Sequence, residues 1–352
     1  MPLLLSACAT DELPRSRLGA LPFPGPLTLY EPSDLPQVGA HRYTKWWERP
    51  FGEAEGARGI MYTCRAGFLD LAHIRESMDW TRYFWRHART LLLDGGGSSA
   101  FVFEDTRFEL SVTLPAWWSD LTPADRAAMI EEASGIIGQR AAIDEQTWHE
   151  IATWYGWRTF PLVSEQGSAF TYDDTTSHLV GALIGASVLV QDESDYDRLA
   201  TAALRETLEG LGAVPRSEVD HAARSVEGSW WSDGVAVRRD LNTGIEAGFK
   251  VPWLVPGVEG CAGCEPVVLT VPSLRNVLGR DLSAVYELRV VPREQFMERL
   301  RPGAASPELG ITSREFPTLI AAIRHDMAAR WGPEVDQRPE PPAAAGLPLG
   351  GS

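Results

Sequence analysis

Between residues 68 and 93 the chain (FLDLAHIRESMDWTRYFWRHARTLLL) carries apolar residues at helical spacing with no Gly or Pro, which predicts one long helix ending at Gly95-Gly96-Gly97. Phe101, Val102 and Phe103, then Phe108, Leu110, Val112 and Leu114, flank Asp105-Thr106. The alternation of the second run predicts a hairpin with one buried face. Thr122 reads as an N-cap with Pro123 at the first helical position, opening a helix towards Trp157 that Gly135 and Gly138 can bend; Ile130, Ile137, Trp148, Ile151 and Tyr155 mark its core stripe. Asp173 or Asp174 caps a further helix, Thr175 to Val190, in which Ser177, Gly181 and Gly185 recur at a spacing of four. That apolar run is too short to span a bilayer, so its small-residue seam predicts close helix packing in a core.

Helical stretches near 194 to 211 and 216 to 226 lead into a region rich in strands and turns. Val235 to Arg239 and Ile245 to Trp253, about Asn242-Thr243-Gly244, predict a second hairpin; Val267 to Val271 and Val285 to Val291 predict further strands, and a last helix runs near 313 to 331. Helices and strands do not alternate regularly. The expected class is therefore α+β, a mainly helical core with a smaller antiparallel sheet, and not a doubly wound parallel sheet. The pattern divides the chain into a truncated lipoprotein signal (1–8), an extended tether rich in Pro, Leu and Gly (9–40), a single globular domain (41–332) and a disordered Pro/Ala/Gly tail (333–352).

Charge narrows the partners. The formal net charge is −16, so the average surface repels phosphate backbones and nucleic acid is not an expected partner. Thirteen tryptophans supply core volume and, where exposed, flat contact surface.

Leu5-Ser6-Ala7-Cys8 looks like a bacterial lipobox, in which small residues precede a cysteine that receives a lipid. The basic and apolar regions that normally precede such a box are missing or cut short. The expectation is a membrane-anchored protein, lipidated on Cys8, on the exported side of the bacterial cell envelope. Cys261 and Cys264 form a CxxC, read as a short-loop disulfide in an oxidising compartment, which leaves Cys64 unpaired. A helix start and Arg65 beside Cys64 would lower its pKa, so a thiol hydrolase using Cys64 is one alternative chemistry.

Three segments place ligand-capable side chains on helices built for burial. Asp70 and His73 are three apart with Ser77 four later, on one helix face, and a neighbouring carboxylate fixes a histidine tautomer for base or ligand duty. His149 and Glu150 flank the stripe of Trp148, Ile151 and Tyr155. They begin like a zincin helix, but Thr153 stands where HExxH needs its second histidine, so the metalloprotease motif is absent. His178 lies beside the small-residue seam, and Asp173 and Asp174 are explained there as a cap and first-turn acid. Each of these residues also fits a plain structural role.

If the three helices meet, His73, His149 and His178 with Glu150 or Asp70 form a nitrogen and carboxylate cluster of the kind that holds one divalent zinc, iron or manganese ion. Glu150 or His149 would then be general base, and Arg65 or Arg75 would hold an anionic substrate or oxyanion.

The strings TCRAGFLDLAHIRESMDWTRY, TWHEIATWYGW and SAFTYDDTTSHLVG, in that order behind a lipobox, resemble the bacterial family catalogued as domain of unknown function 4056. The likeness is expected over residues 40 to 330. It implies an uncharacterised exported protein and brings no reaction, cofactor or catalytic residue with it. The residues themselves favour an envelope hydrolase acting on peptidoglycan, lipid or a capsular component. The rival is a non-catalytic lipoprotein that binds a partner or scaffolds the envelope.

Overall fold

The computed structural model describes residues 13–25, 29–43, 58–158, 164–191, 193–293, 300 and 310–338. Cys8 and its lipobox lie outside these residues, as does the tail beyond 338. Two short antiparallel strands, β1 (Ile60–Thr63) and β2 (Gly67–Asp70), feed directly into α1 (Leu71–Leu93). The hairpin β3 (Gly97–Phe103) and β4 (Thr106–Val112) precedes α2 (Pro123–Trp154), α3 (Asp174–Leu189), α4 (Tyr196–Gly210) and α5 (Arg216–Ser225). Four two-residue strands follow: β5 (Trp231–Ser232), β6 (Val235–Ala236), β7 (Phe249–Lys250) and β8 (Leu269–Thr270). Then come β9 (Tyr286–Pro292), β10 (Ile311–Thr312) and α6 (Phe316–Trp331). The protein is α+β, as its pattern predicts.

The main sheet is antiparallel in the order β10-β9-β4-β3. Strands β4 and β9 alternate buried and less buried positions, so one face packs on the helices. The β3–β4 turn places Glu104 at φ +46° and Asp105 at φ +61°, the positive pair of a two-residue hairpin turn that normally selects Asn-Gly. The second predicted hairpin forms differently. The β5–β6 turn is Asp233-Gly234, and β7 pairs with β8 across a long loop instead of with the 235–239 run. Gly234 at φ +72° supplies the backbone freedom that Asn242-Thr243-Gly244 was expected to provide.

Helix α1 is the centre of the helical layer, with α2 and α3 against it. The seam on α3 is its contact with α1: a Cβ on Gly181 would lie 2.3 Å from the Ile74 carbonyl oxygen, and one on Gly185 would lie 2.9 Å from that of Met78. Gly138 brings α2 close on another side, where a Cβ would lie 2.9 Å from the Thr81 carbonyl oxygen. Among the described residues no helix is long and apolar enough to cross a membrane.

The described residues of the segment expected as a tether lack regular structure apart from a 3-10 turn at Leu35–Gln37, yet they are folded onto the domain. Ala20, Phe23 and Val38 are buried, as is His41 just beyond that segment, and Phe23 stacks on Trp231 at 5.7 Å. The first residues of the predicted disordered tail are docked too, since Arg239 N–H donates to the Val335 carbonyl (2.7 Å) and Val335 is buried.

The disulfide joins Cys64 to Cys261, and Cys264 is exposed and unpaired among the described residues. The expected Cys261–Cys264 bridge is therefore corrected. The CxxC spacing was a local cue, whereas Gly212 and Leu211 hold the end of β1 from one side and bring Cys64 to the 258–264 loop. Bonded to Cys261, Cys64 carries no nucleophilic thiol, which removes the thiol-hydrolase alternative in this form of the protein. The bridge spans 197 residues of sequence, so its constraint on the unfolded chain is large. Replacing Cys64 by Ser in a Cys264→Ser background should cost about 2–4 kcal/mol in denaturant unfolding. Unchanged stability there would contradict the pairing.

Candidate metal centre

Three ligand-capable side chains, two of them buried and His73 half-buried, converge where the β2–α1 junction meets the start of α3. Asp70, His73 and Asp173 each offer a donor atom, and those atoms all lie within 4.8 Å of one another. Asp70 is the N-cap of α1: its Oδ1 accepts from Ala72 N–H (2.6 Å) and its Oδ2 from Ala20 N–H (2.6 Å). His73, one turn later, turns Nδ1 towards the same place, 3.9 Å from Asp70 Oδ2 and 3.3 Å from Asp174 Oδ1.

Asp173 heads α3 but does not cap it with its side chain. Its Oδ1 accepts from the Thr171 hydroxyl (2.8 Å), and its Oδ2, fully buried, has no hydrogen-bond partner among the described residues. The reading of Asp173 as a helix cap is thus corrected, and its Oδ2 is a buried polar atom that the described residues leave unsatisfied. Ser177 ties the two elements together, accepting from Asp70 N–H (2.9 Å) and donating to the Asp173 carbonyl (2.8 Å).

His178 stacks obliquely on His73 with ring centroids 5.1 Å apart, and its buried Nε2 lies 3.9 Å from Glu150 Oε1. Glu150 Oε2 accepts from Phe170 N–H (2.6 Å). Phe170 sits at φ +56°, a conformation aromatic residues rarely adopt, so the loop before α3 is held in a costly shape that aims its N–H at Glu150. The fully buried Arg239 supports that loop by donating to the carbonyls of Ala169 and Gly167.

Four acids, Asp70, Asp173, Asp174 and Glu150, are thus buried around two imidazoles. Burial raises the pKa of Asp70, Asp173 and Glu150, Glu150 to about 8, and the charge of Asp174 adds to each. Burial works against protonation of His73, but the Asp70 and Asp174 carboxylates outweigh it and hold His73 well above its usual range. His178, desolvated and facing other cations, is held well below.

Of the predicted site residues, Asp70, His73, His178 and Glu150 meet. His149 stands beside them, in a second acidic group. Its Nδ1 lies 2.9 Å from Glu104 Oε2 of the hairpin turn and its ring packs on Trp157 at 5.1 Å. The expected three-imidazole cluster is therefore a pair with a neighbour. Glu104 carries His149 up to about 10 against the effect of burial. Buried Glu76 and Glu145 face the same group; burial and neighbouring carboxylates raise both, Glu76 to about 7.

Neither predicted arginine reaches the centre. Arg65 is exposed on the β1–β2 turn, its N–H donating to the Leu211 carbonyl (3.1 Å), and Arg75 is fully buried with Nη2 donating to the Gly39 carbonyl (2.7 Å). The N-terminal segment covers the site instead. A Cβ on Gly19 would fall 2.8 Å from His73 Nε2 and 2.9 Å from Asp70 Oδ2, so only glycine allows that approach without a shift.

The residues define a mixed α+β domain with a carboxylate and histidine centre at a three-helix junction. Residues 4–239 match the model of the family described as protein of unknown function (DUF4056), and the chain belongs to that family. The match begins earlier and ends sooner than the expected 40 to 330, leaving β7 to β10 and α6 outside it. No curated protein and no solved structure matches the chain.

Proposed function

We propose that Asp70, His73 and Asp173 bind a divalent zinc, iron or manganese ion and that the protein is a metal-dependent hydrolase of the bacterial cell envelope. The single observation that carries this reading is that the Asp173 carboxylate, with a donor oxygen within 4.8 Å of those of Asp70 and His73, keeps a buried Oδ2 with no hydrogen-bond partner among the described residues. A carboxylate oxygen taken out of water without a donor is costly, and a cation is the partner that an acid-rich pocket accepts. One imidazole with several carboxylates is a hard, mixed N/O donor set, suited to these ions. Asp174 is a fourth candidate ligand. His178 and Glu150 lie beside His73 as a base-capable pair, and an ion held by Asp70, His73 and Asp173 would supply an activated water. The lipobox at Cys8 supports anchoring on the exported side, where peptidoglycan, lipid or capsular material would be the substrate.

A second reading is favoured by the cover: Ala20 N–H bonded to Asp70 and Gly19 against His73 suit an ion that fastens the N-terminal segment in a non-catalytic binding or scaffold lipoprotein. Metal analysis of purified protein tests the shared claim. About one equivalent of metal is expected, lost in Asp173→Asn and His73→Ala and kept in His149→Ala. Metal-free, fully folded wild-type protein would remove both readings. Glu150→Gln then separates them, because a hydrolase variant keeps its metal and loses cleavage of peptidoglycan or phospholipid vesicles, whereas a scaffold cleaves neither before nor after the change.

A further inference from the structure

A cavity of about 350 Å³ opens on another face of α2, and none of its walls belongs to the metal centre. Its floor is one helical stripe, since Arg140, Asp144 and Thr147 recur at i, i+4 and i+7. The opposite wall is the start of α6 with Phe316 and Ile320, and Arg314 lies at the rim. Volumes from roughly 300 to 1,000 Å³ are those of small-molecule sites, where apolar walls carry a few placed polar groups.

The polar groups on the floor are unequal. Asp144 is nearly fully buried and already engaged, accepting from the Tyr286 hydroxyl. Arg140 is not saturated: Nη1 makes one long bond to the Pro272 carbonyl (3.4 Å), and Nε is buried with no acceptor among the described residues. A guanidinium presents its donors as a planar fork matched to carboxylate or phosphate oxygens. Arg324 is taken by Asp336, so Arg140 and Arg314 are the cations left to meet an incoming group. Glu246 also borders the cavity, and as it is exposed, solvent screens it.

We infer that this cavity is a binding site for a small organic anion whose carboxylate or phosphate is held by Arg140 and Arg314 and whose apolar body lies against Phe316 and Ile320. The site is independent of the metal reading, because it shares no residue with that centre.

Phenyl phosphate and benzoate are the probes, titrated calorimetrically into the full chain, with phenol as the uncharged control. At least one of the two anions should bind saturably at one site per chain, and phenol about tenfold or more weaker. Arg140→Gln and Arg314→Gln should each weaken the anion about tenfold. Ser283→Trp, at the exposed rim, should block entry without altering charge; it and Arg314→Gln sit at exposed positions and keep the test valid should Arg140→Gln fold poorly. No saturable binding of either anion, equal binding of phenol, or binding indifferent to both rim variants would overturn the proposal.

Discussion

Asp79→Ala should destabilise the protein by about 3–5 kcal/mol, because it strips the anion from a buried network and leaves a cation behind. Asp79 lies on α1, fully buried, and its Oδ2 accepts from Arg17 Nη2 at 2.7 Å while its Oδ1 lies 2.8 Å from His41 Nε2. Arg17 and His41 both belong to the segment that wraps the domain, and the Arg17 Nη2 also donates to the Arg42 carbonyl (3.0 Å). One carboxylate thus fastens two points of the cover that lies over the proposed metal centre. Burial alone would raise Asp79; the Arg17 guanidinium and the hydrogen bonds from His41 and Arg17 outweigh it, and Asp79 titrates below its usual value. His41 is shifted the other way to a cationic partner: desolvation lowers it, and its buried Nδ1 has no acceptor among the described residues, as a neutral ring donating through Nε2 requires.

The sign of the pH dependence follows. A depressed carboxyl pKa means that the unfolded chain binds the proton first, so Asp79 contributes stability above about pH 4 that is lost as pH falls through the folded value. A depressed histidine works in the same direction from about pH 6.5 downward, since the unfolded chain charges His41 before the folded one does. Denaturant unfolding of wild type and Asp79→Asn should show a wide gap at pH 7 that narrows on acidification below about pH 4. A gap under about 1 kcal/mol at pH 7, or one that widens in acid, would contradict this account. Hydrogen exchange should also quicken in residues 13–43 of the variant before it does in α1.

Much of the frame was legible because its signals are local. Thr122 accepts from Asp125 N–H with Pro123 following, and the gap-free run after Asp70 is α1. The hairpin was legible for the same reason, although its turn is Glu104-Asp105, one residue before the expected Asp105-Thr106. What failed needed partners far along the chain. β7 and β8 pair across an intervening loop, and Cys64 finds Cys261 from 197 residues away, ahead of the nearer CxxC. Half of the site was visible from Asp70 and His73 at i, i+3 and from His178 beside a seam that had to be buried. Asp173 was missed because an acid before a helix has an ordinary explanation as a cap, and only the fold shows that its side chain does no capping. His149 was grouped with the other imidazoles by composition, whereas Glu104, brought across by a hairpin, claims it. The cover was misread because Pro- and Gly-rich sequence looks like a tether whether or not it docks.

Gly181→Ala tests the junction on which the proposed metal centre is built, and its cost should reach or exceed the top of the ~1–3 kcal/mol range of overpacking substitutions. In most helix interiors the change would help, since alanine is the better helix former by about 1 kcal/mol. Here the added methyl would lie 2.3 Å from the Ile74 carbonyl oxygen and 2.7 Å from the Ser77 Cβ, both on α1. The first of these is backbone and cannot rotate away, so α3 must move off α1 as a body. Ser177 and His178 sit on the turn before Gly181, and Ser77 donates to the His178 carbonyl at 2.6 Å, so a shift of α3 carries Asp173 away from Asp70 and His73. The variant should therefore lose metal affinity together with stability, although it removes no ligand. Gly135→Ala on α2 is the control, as its added methyl meets nothing within 4 Å; it should be neutral or stabilising. If Gly181→Ala were as stable as that control and bound metal as the wild type does, close approach of α3 to α1 would not be what sets the geometry of the centre.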